Sequence, residues 1–148
     1  DNGRTPMQWD ASNHAGFSEQ TPWLPVNENH IKVNVANQEA DSNSVLHHFK
    51  KMVTLRKNNL VLVYGKYKII QEDHPTIYAY SRTLGNQEMI ILLNFSESVS
   101  SINLVNLAQC NKILIDNYDH LSIKKNTTTL QPYQAVILKI KNHENIQA

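Results

Sequence analysis

From residue 41 onward the apolar positions of the chain follow two periods in turn. Val45, Leu46, Phe49, Met52, Val53 and Leu55 recur at the spacing of one helical face, which predicts an amphipathic helix over 44–57. Asp41, Ser42 or Ser44 offers its N-cap, and Asn58 with Asn59 its stop. Its polar face carries Lys50, Lys51, Arg56 and Lys57, cations gathered toward the end that the helix dipole favours, and it reads as a solvated face. After Gly65 the period becomes two. Tyr67, Ile69 and Gln71 alternate with Lys68 and Ile70, and residues 77–82 follow a Glu72-Asp73-His74-Pro75 turn, so the pair predicts a hairpin. Residues 89–95 form an almost unbroken apolar run of strand length, the pattern of a strand buried on both faces. Further strands are expected at 98–104, 112–116, 121–123, 127–130 and 135–140, separated by polar turns with no helix between them. That arrangement predicts an antiparallel sandwich.

Residues 1–41 show almost no period. They hold Pro6, Pro22, Pro25 and both tryptophans, and read as an extended, irregular connection. A connection this long is usually functional or laid over a larger body. Met7, Trp9, Phe17, Trp23 and Leu24 would expose a large apolar area unless something packs on them. The start at Asp1, with neither Met nor a signal-type apolar region, reads as a cut, and the tail 142–148 is expected to fray.

Composition narrows the function classes. With 148 residues, 14 Lys and Arg and 13 Asp and Glu, the net charge is +1, which gives no footprint for nucleic acid or a polybasic membrane anchor. No apolar run approaches a membrane span, and one cysteine, Cys110, closes no internal disulfide, so the expected location is cytoplasmic. Gly-x-Ser-x-Gly, His-Glu-x-x-His and Walker patterns are all missing. The adjacent His47 and His48 project about 100° apart on a helix and make no ligand pair. No metal, cofactor or catalytic residue is expected in this chain.

One stretch stands out for its residue types. Asp1-Asn2-Gly3-Arg4-Thr5-Pro6-Met7-Gln8-Trp9-Asp10 packs a guanidinium, amides, hydroxyls and an indole into ten positions, the groups that recognise a sugar by planar hydrogen bonding and stacking. The structural alternative is that Arg4 pairs with a carboxylate of a missing body while Met7 and Trp9 pack. This string, with Asn13-His14-Ala15-Gly16-Phe17 and Pro22-Trp23, closely resembles bacterial α-glucosidases of the α-amylase superfamily, the group of oligo-1,6-glucosidases and trehalose-6-phosphate hydrolases. The resemblance continues through residues 31–35, 41–46, 55–58 and 63–65, and more weakly through Asn94-Phe95-Ser96, Asn117-Tyr118 and residues 130–133.

The resemblance implies a mainly β fold: a C-terminal antiparallel β-sandwich, Greek-key-like, preceded by an irregular segment and one α-helix left over from a (β/α)8 barrel. Residues 1–65 would be the final loop and helix of that barrel, 66–141 the sandwich and 142–148 the tail. It also implies a retaining glycosidase whose nucleophilic aspartate, acid glutamate and second aspartate all lie upstream of Asp1. The segment after the eighth strand borders the pocket of such a barrel. Arg4, or an arginine upstream of Asp1, is then the substrate-binding candidate, with Asp1 and Gln8 as second choices at the rim. The partner would be a small α-glucoside in the intact parent. The chain by itself is expected to be inactive, and to dimerise, domain-swap or disorder through the 44–57 helix. The rival reading is a stand-alone carbohydrate-binding or structural β-module. No exposed aromatic row is evident for it among Tyr67, Tyr78, Tyr80, Tyr118 and Tyr133.

Overall fold

The computed structural model describes residues 2–118 and 120–141, and the chain divides into two compact units, Asp1–Lys51 and Met52–Ala148. Three 3-10 turns (Asn2–Arg4, Asn13–Gly16 and Glu28–Ile31), a short helix α1 (Val35–Ala40) and the start of helix α2 (Val45–Asn58) make up the first unit. Polar side chains decide where these elements begin. Asn34 caps α1: its Oδ1 accepts the Asn37 N–H at 2.8 Å, and its amide donates to His30 O at 2.7 Å. The open N–H groups of Val35 and Ala36 donate to the carbonyls of Gln8 and Trp9, both at 2.9 Å. Ser44, which is buried, caps α2 by accepting the His47 N–H at 3.2 Å while donating to Gln38 O at 2.6 Å. Asp41 instead accepts the Asn43 N–H at 2.9 Å, closing the turn before the helix.

Two departures from the sequence reading have simple causes. A single α-helix is expected, but α1 forms inside the stretch read as irregular, because six residues with one hydrophobic β-branched side chain are too few to display a period. A third helix, α3 (Leu60–Tyr64), follows Asn59 directly. All five of its residues are apolar or aromatic, so neither period is visible there either. Helix α2 itself spans one residue more at its C-terminal end than expected and contains no buried residue, with Val45 79% and Phe49 64% exposed.

The second unit holds the end of α2, α3 and eight strands: β1 (Lys66–Ile70), β2 (Ile77–Leu84), β3 (Gln87–Asn94), β4 (Ser100–Asn103), β5 (Cys110–Asp116), β6 (Ser122–Lys124), β7 (Thr127–Leu130) and β8 (Ala135–Ile140). All pairings are antiparallel, in a five-stranded sheet of order β1-β2-β3-β8-β5 and a three-stranded sheet of order β4-β7-β6. The expected strand over 98–104 is shortened to β4, since Val105–Gln109 turns into a 3-10 segment. The chain leaves the larger sheet after β3, and β8 returns to pair with it, Ile90 opposite Leu138 and Leu92 opposite Val136.

Strand β3 explains why its run is apolar at successive positions. Ile90 and Leu92 point into the core between the sheets with Ala79, Ile102, Leu130 and Leu138, whereas Met89 and Ile91 point to the other face, under Val61 and Leu62 of α3. Two arginines hold the C-terminal carbonyls of α3: Arg56 Nη1 donates to Leu62 O, and Arg82 Nη2 to Val63 O at 3.1 Å. Polar side chains lock the loops at one end of the strands. Asn94, buried, donates to the carbonyls of Ser98 and Gln131 at 2.8 Å each, and fully buried Gln134 donates to both carboxylate oxygens of Asp116 at 2.9 Å. His74 accepts the Ile77 N–H on Nδ1 at 2.9 Å and reaches Ser101 O through Nε2 at 3.2 Å, joining the hairpin to β4.

Candidate functional site

The segment singled out by residue type runs along the first unit from the 3-10 turn at Asn2–Arg4 to the turn at Asn13–Gly16. Arg4 ends the first turn, and its guanidinium carbon lies 5.7 Å from the ring centroid of Trp23, which is 82% exposed. A guanidinium over an indole at that distance is a cation–π pair. It holds the planar donor fork of Arg4 beside an exposed aromatic surface, the combination that can grip a sugar. Gln8 has both hands on the scaffold: Nε2 donates to Asn29 Oδ1 at 3.0 Å and to the Val33 carbonyl, while its backbone carbonyl receives the Val35 N–H. Asp1 lies outside the described residues, as does the tail 142–148.

Asp10 closes the motif. Its Oδ1 accepts the Ser12 hydroxyl and, at 2.8 Å, the Ser12 N–H, and these two bonds hold its carboxyl below the ordinary carboxylate value. The turn that follows is strained. His14, Ala15 and Gly16 all have positive φ, at 53°, 56° and 65°, a run that only glycine adopts without penalty. The fold over-determines it: Trp9 N–H and Asp10 N–H both donate to Ala15 O, at 2.9 and 3.3 Å, and Ala15 is buried. A Cβ on Gly16 would stand 2.8 Å from Asp10 Oδ2, so any side chain there would have to displace the carboxylate that Ser12 holds, in addition to adopting the strained conformation.

Behind the motif lies an apolar groove of about 610 Å³, bounded by Pro6, Met7, Val33, Val45, Leu46 and Phe49. Sequence reasoning anticipated exposed apolar anchors in this region but not a groove. Its two walls come from segments about 40 residues apart, and α1, which brings them together, carried no period. Among the described residues no group of three or more His, Cys, Asp or Glu side chains is placed to hold a metal ion, and no helix is long and apolar enough to cross a membrane.

In the second unit the structure brings together three tyrosines that the sequence left scattered. The ring centroids of Tyr67 and Tyr78 lie 5.3 and 5.5 Å from that of Tyr80, and the hydroxyls of Tyr67 and Tyr78 are 2.7 Å apart. The signal was available: Tyr78 and Tyr80 share a face at period two, and Tyr67 pairs opposite Arg82 on that face. The rings are inclined by 39° and 45°, so they form an edge-packed cluster and not a flat shelf.

Residues 1–65 match the family described as "Alpha amylase, catalytic domain", and residues 77–137 match "Alpha-amylase SusG C-terminal domain". The chain belongs to the α-amylase superfamily. It is 44% identical over 144 residues to an oligo-1,6-glucosidase of Parageobacillus thermoglucosidasius, covering 95% of this chain and 26% of that protein. To a trehalose-6-phosphate hydrolase of Bacillus subtilis (strain 168) it is 33% identical, with 95% and 26% covered. The crystal structure of an isomaltulose synthase from Klebsiella sp. LX3 superposes with a TM-score of 0.87 at 35% identity, over 95% of this chain and 26% of that one. The chain therefore spans about a quarter of the length of the relatives it matches.

Proposed function

We propose that this chain is the C-terminal part of a retaining α-glucosidase that hydrolyses small α-glucosides, trehalose 6-phosphate or isomalto-oligosaccharides. In this reading residues 1–65 complete the catalytic barrel and 66–141 form a sandwich that buttresses it. The reading rests on one observation above all. The part of the chain that matches a catalytic domain presents an open apolar groove and a 14-residue helix with nothing buried, surfaces of the kind a barrel's remaining strands and helices cover. The nucleophile and the proton donor would come from the upstream barrel, about 5–5.5 Å apart as retention requires. Arg4 would border the pocket and fix the glucose by its donor fork, with Asp1 and Gln8 as second choices at the rim. The lone thiol Cys110 fits a reducing, cytoplasmic setting. Without the barrel, α2 offers an apolar face through which two copies would dimerise or swap. The inclination of the tyrosine rings favours the buttress over a carbohydrate-binding module.

The test is a chimera in which this chain replaces the matching last quarter of the Parageobacillus thermoglucosidasius oligo-1,6-glucosidase. The chimera is expected to hydrolyse isomaltose, and the chain alone is expected not to. Within the chimera, Arg4→Ala should raise KM or lower kcat/KM by tenfold or more, a loss of about 1.4 kcal/mol or more of transition-state binding. Unchanged kinetics would move the pocket arginine upstream. Turnover by the chain alone would overturn the whole reading.

A further inference from the structure

Helix α3 covers only part of the sheet face on which it sits. Five strands at about 4.8 Å spacing span about 19 Å between the outer two, whereas a five-residue helix is about 7.5 Å long. What lies beyond the helix is apolar and aromatic. Tyr80 opposes Ile91 and Tyr78 opposes Leu93 in register, so both tyrosines stand on the face that Met89 and Ile91 turn toward α3. Tyr67, opposite Arg82, extends the row to the edge strand and is 49% exposed. The outer side of α3 continues this surface, with Leu60 exposed and Tyr64 71% exposed. The opposite face of the sheet, by contrast, packs Ile90, Leu92 and Leu138 against Ile102 and Leu130 of the smaller sheet.

The face is also one-signed. Arg82, Lys139 and Lys112 stand on it by register, and Arg56 approaches it from α2. The two carboxylates within the five strands, Glu88 and Asp116, pair with Thr83 and Val136 and so belong to the opposite face. Glu72, in the turn after β1, acts on Tyr67 from the rim. Among the described residues neither Arg56 nor Arg82 is in an ion pair; each donates to a carbonyl of α3. Burial raises the Tyr80 pKa, Tyr78 adds to the rise, and the charges of Arg82 and Arg56 oppose it.

We propose that on this face the sandwich docks the upstream remainder of the catalytic domain, through an apolar surface whose acidic residues meet these cations. The inference rests on the function proposed above. One piece of the occupant is already seated: α3 lies within residues 1–65, which match the catalytic-domain family, and it packs on β2 and β3 at this face. The relatives have about three quarters of their length beyond the part this chain matches, enough to cover the rest. A second copy of the chain fits poorly, because a two-fold contact would set the same cations against each other.

The test is hydroxyl-radical footprinting of the chain alone and of the chimera described above. Burial of half-exposed rings in an interface core should cut the oxidation of Tyr67 and Tyr78 about fivefold in the chimera, while Tyr118 and Tyr133, in the loops at the end of the strands, keep their rates. Lys139→Glu should weaken retention of the chain by the separately expressed upstream part about tenfold, with the thermal midpoint showing that the variant is folded; if it is not, Lys112→Glu replaces it. Isomaltose hydrolysis reports on the function separately. An active chimera in which Tyr67 and Tyr78 react as in the chain alone overturns the docking face and leaves the function standing, whereas protection in an inactive chimera does the reverse. Greater protection of Tyr118 and Tyr133 than of Tyr67 and Tyr78 also overturns the docking face. If the chimera is insoluble, the two parts are co-expressed as separate polypeptides, and failure of the chain to copurify overturns it as well.

Discussion

At the scale of single residues, the tightest constraint in the second unit is Gly65. Its φ of −61° is open to any residue, so conformation does not demand glycine there. Space does: a Cβ would stand 2.4 Å from Val61 O and 3.1 Å from the backbone nitrogen of Thr83, and neither is a flexible side chain that can yield. Gly65→Ala must therefore push α3 off β2, and we expect it to destabilise the unit by about 1–3 kcal/mol, read as a lowered urea midpoint with an unchanged m-value. Tyr67 shows a constraint of a different kind. Its hydroxyl, hydrogen-bonded to that of Tyr78, has its pKa pushed up from 10.0 to about 12, with that bond as the main cause and desolvation second. The folded state thus holds the proton more tightly than the unfolded chain. The contribution is fully present below pH 10 and is lost as the pH rises from about 10 to about 12. An ultraviolet phenolate titration should show a late-ionising tyrosine in the native chain, and Tyr78→Phe should move it back toward 10.

The arginines of α2 and β2 that donate to the carbonyls of α3 show how gain and cost offset each other around one element. Arg82 gives α3 a charge-assisted hydrogen bond at Val63 O, yet its Nε is buried with no partner among the described residues. A charged hydrogen bond contributes about 1.5–3 kcal/mol and an orphaned buried donor costs about 1–3. Arg82→Met removes both terms and keeps the aliphatic stem, so it should change stability by less than about 1 kcal/mol. Arg82→Ala loses the stem as well and should cost more than the methionine variant by about 1–2 kcal/mol of packing. Equal destabilisation by the two variants in urea unfolding would show that the guanidinium, and not the stem, holds the helix.

Elements were legible in the sequence wherever a period had room to repeat. Strands β1, β2 and β3 and helix α2 each repeat their pattern at least twice, and all four lie where the spacing places them. Helices α1 and α3 were not legible, since six and five residues cannot separate one period from another. The candidate site divides in the same way. The guanidinium, amide and indole of the motif were visible as residue types, but the Arg4–Trp23 pair spans 19 positions and its partner carries no local signal. The commitment of Gln8 to Asn29 and Val33 is a long-range hydrogen-bond pattern that composition does not encode.

The two units of the molecule differ in what holds them. Residues 52–148 own both apolar clusters, one between the sheets and one beneath α3. In residues 1–51, Ala15 is the one hydrophobic residue buried among those described, accompanied by Asn34, Ser44 and Pro6. That first unit is tied by the side chains of Gln8, Asn27, Asn34, Gln38 and Ser44, each in hydrogen bonds that contribute a net of about 0.5–1.5 kcal/mol. Ordering a residue's backbone costs about 1–2 kcal/mol, and with fewer such bonds than residues the polar ties cannot offset it without apolar burial. A peptide of residues 1–51 is therefore expected to be disordered in water, with narrow amide dispersion. Residues 52–148 should unfold in one cooperative urea transition with a midpoint close to that of the whole chain. If the short peptide folds by itself, its groove is a finished surface and the case for an absent barrel weakens. If it stays disordered, yet gains dispersed amide signals when joined to the upstream three quarters of a relative, then the apolar surface it exposes here is the surface by which it folds.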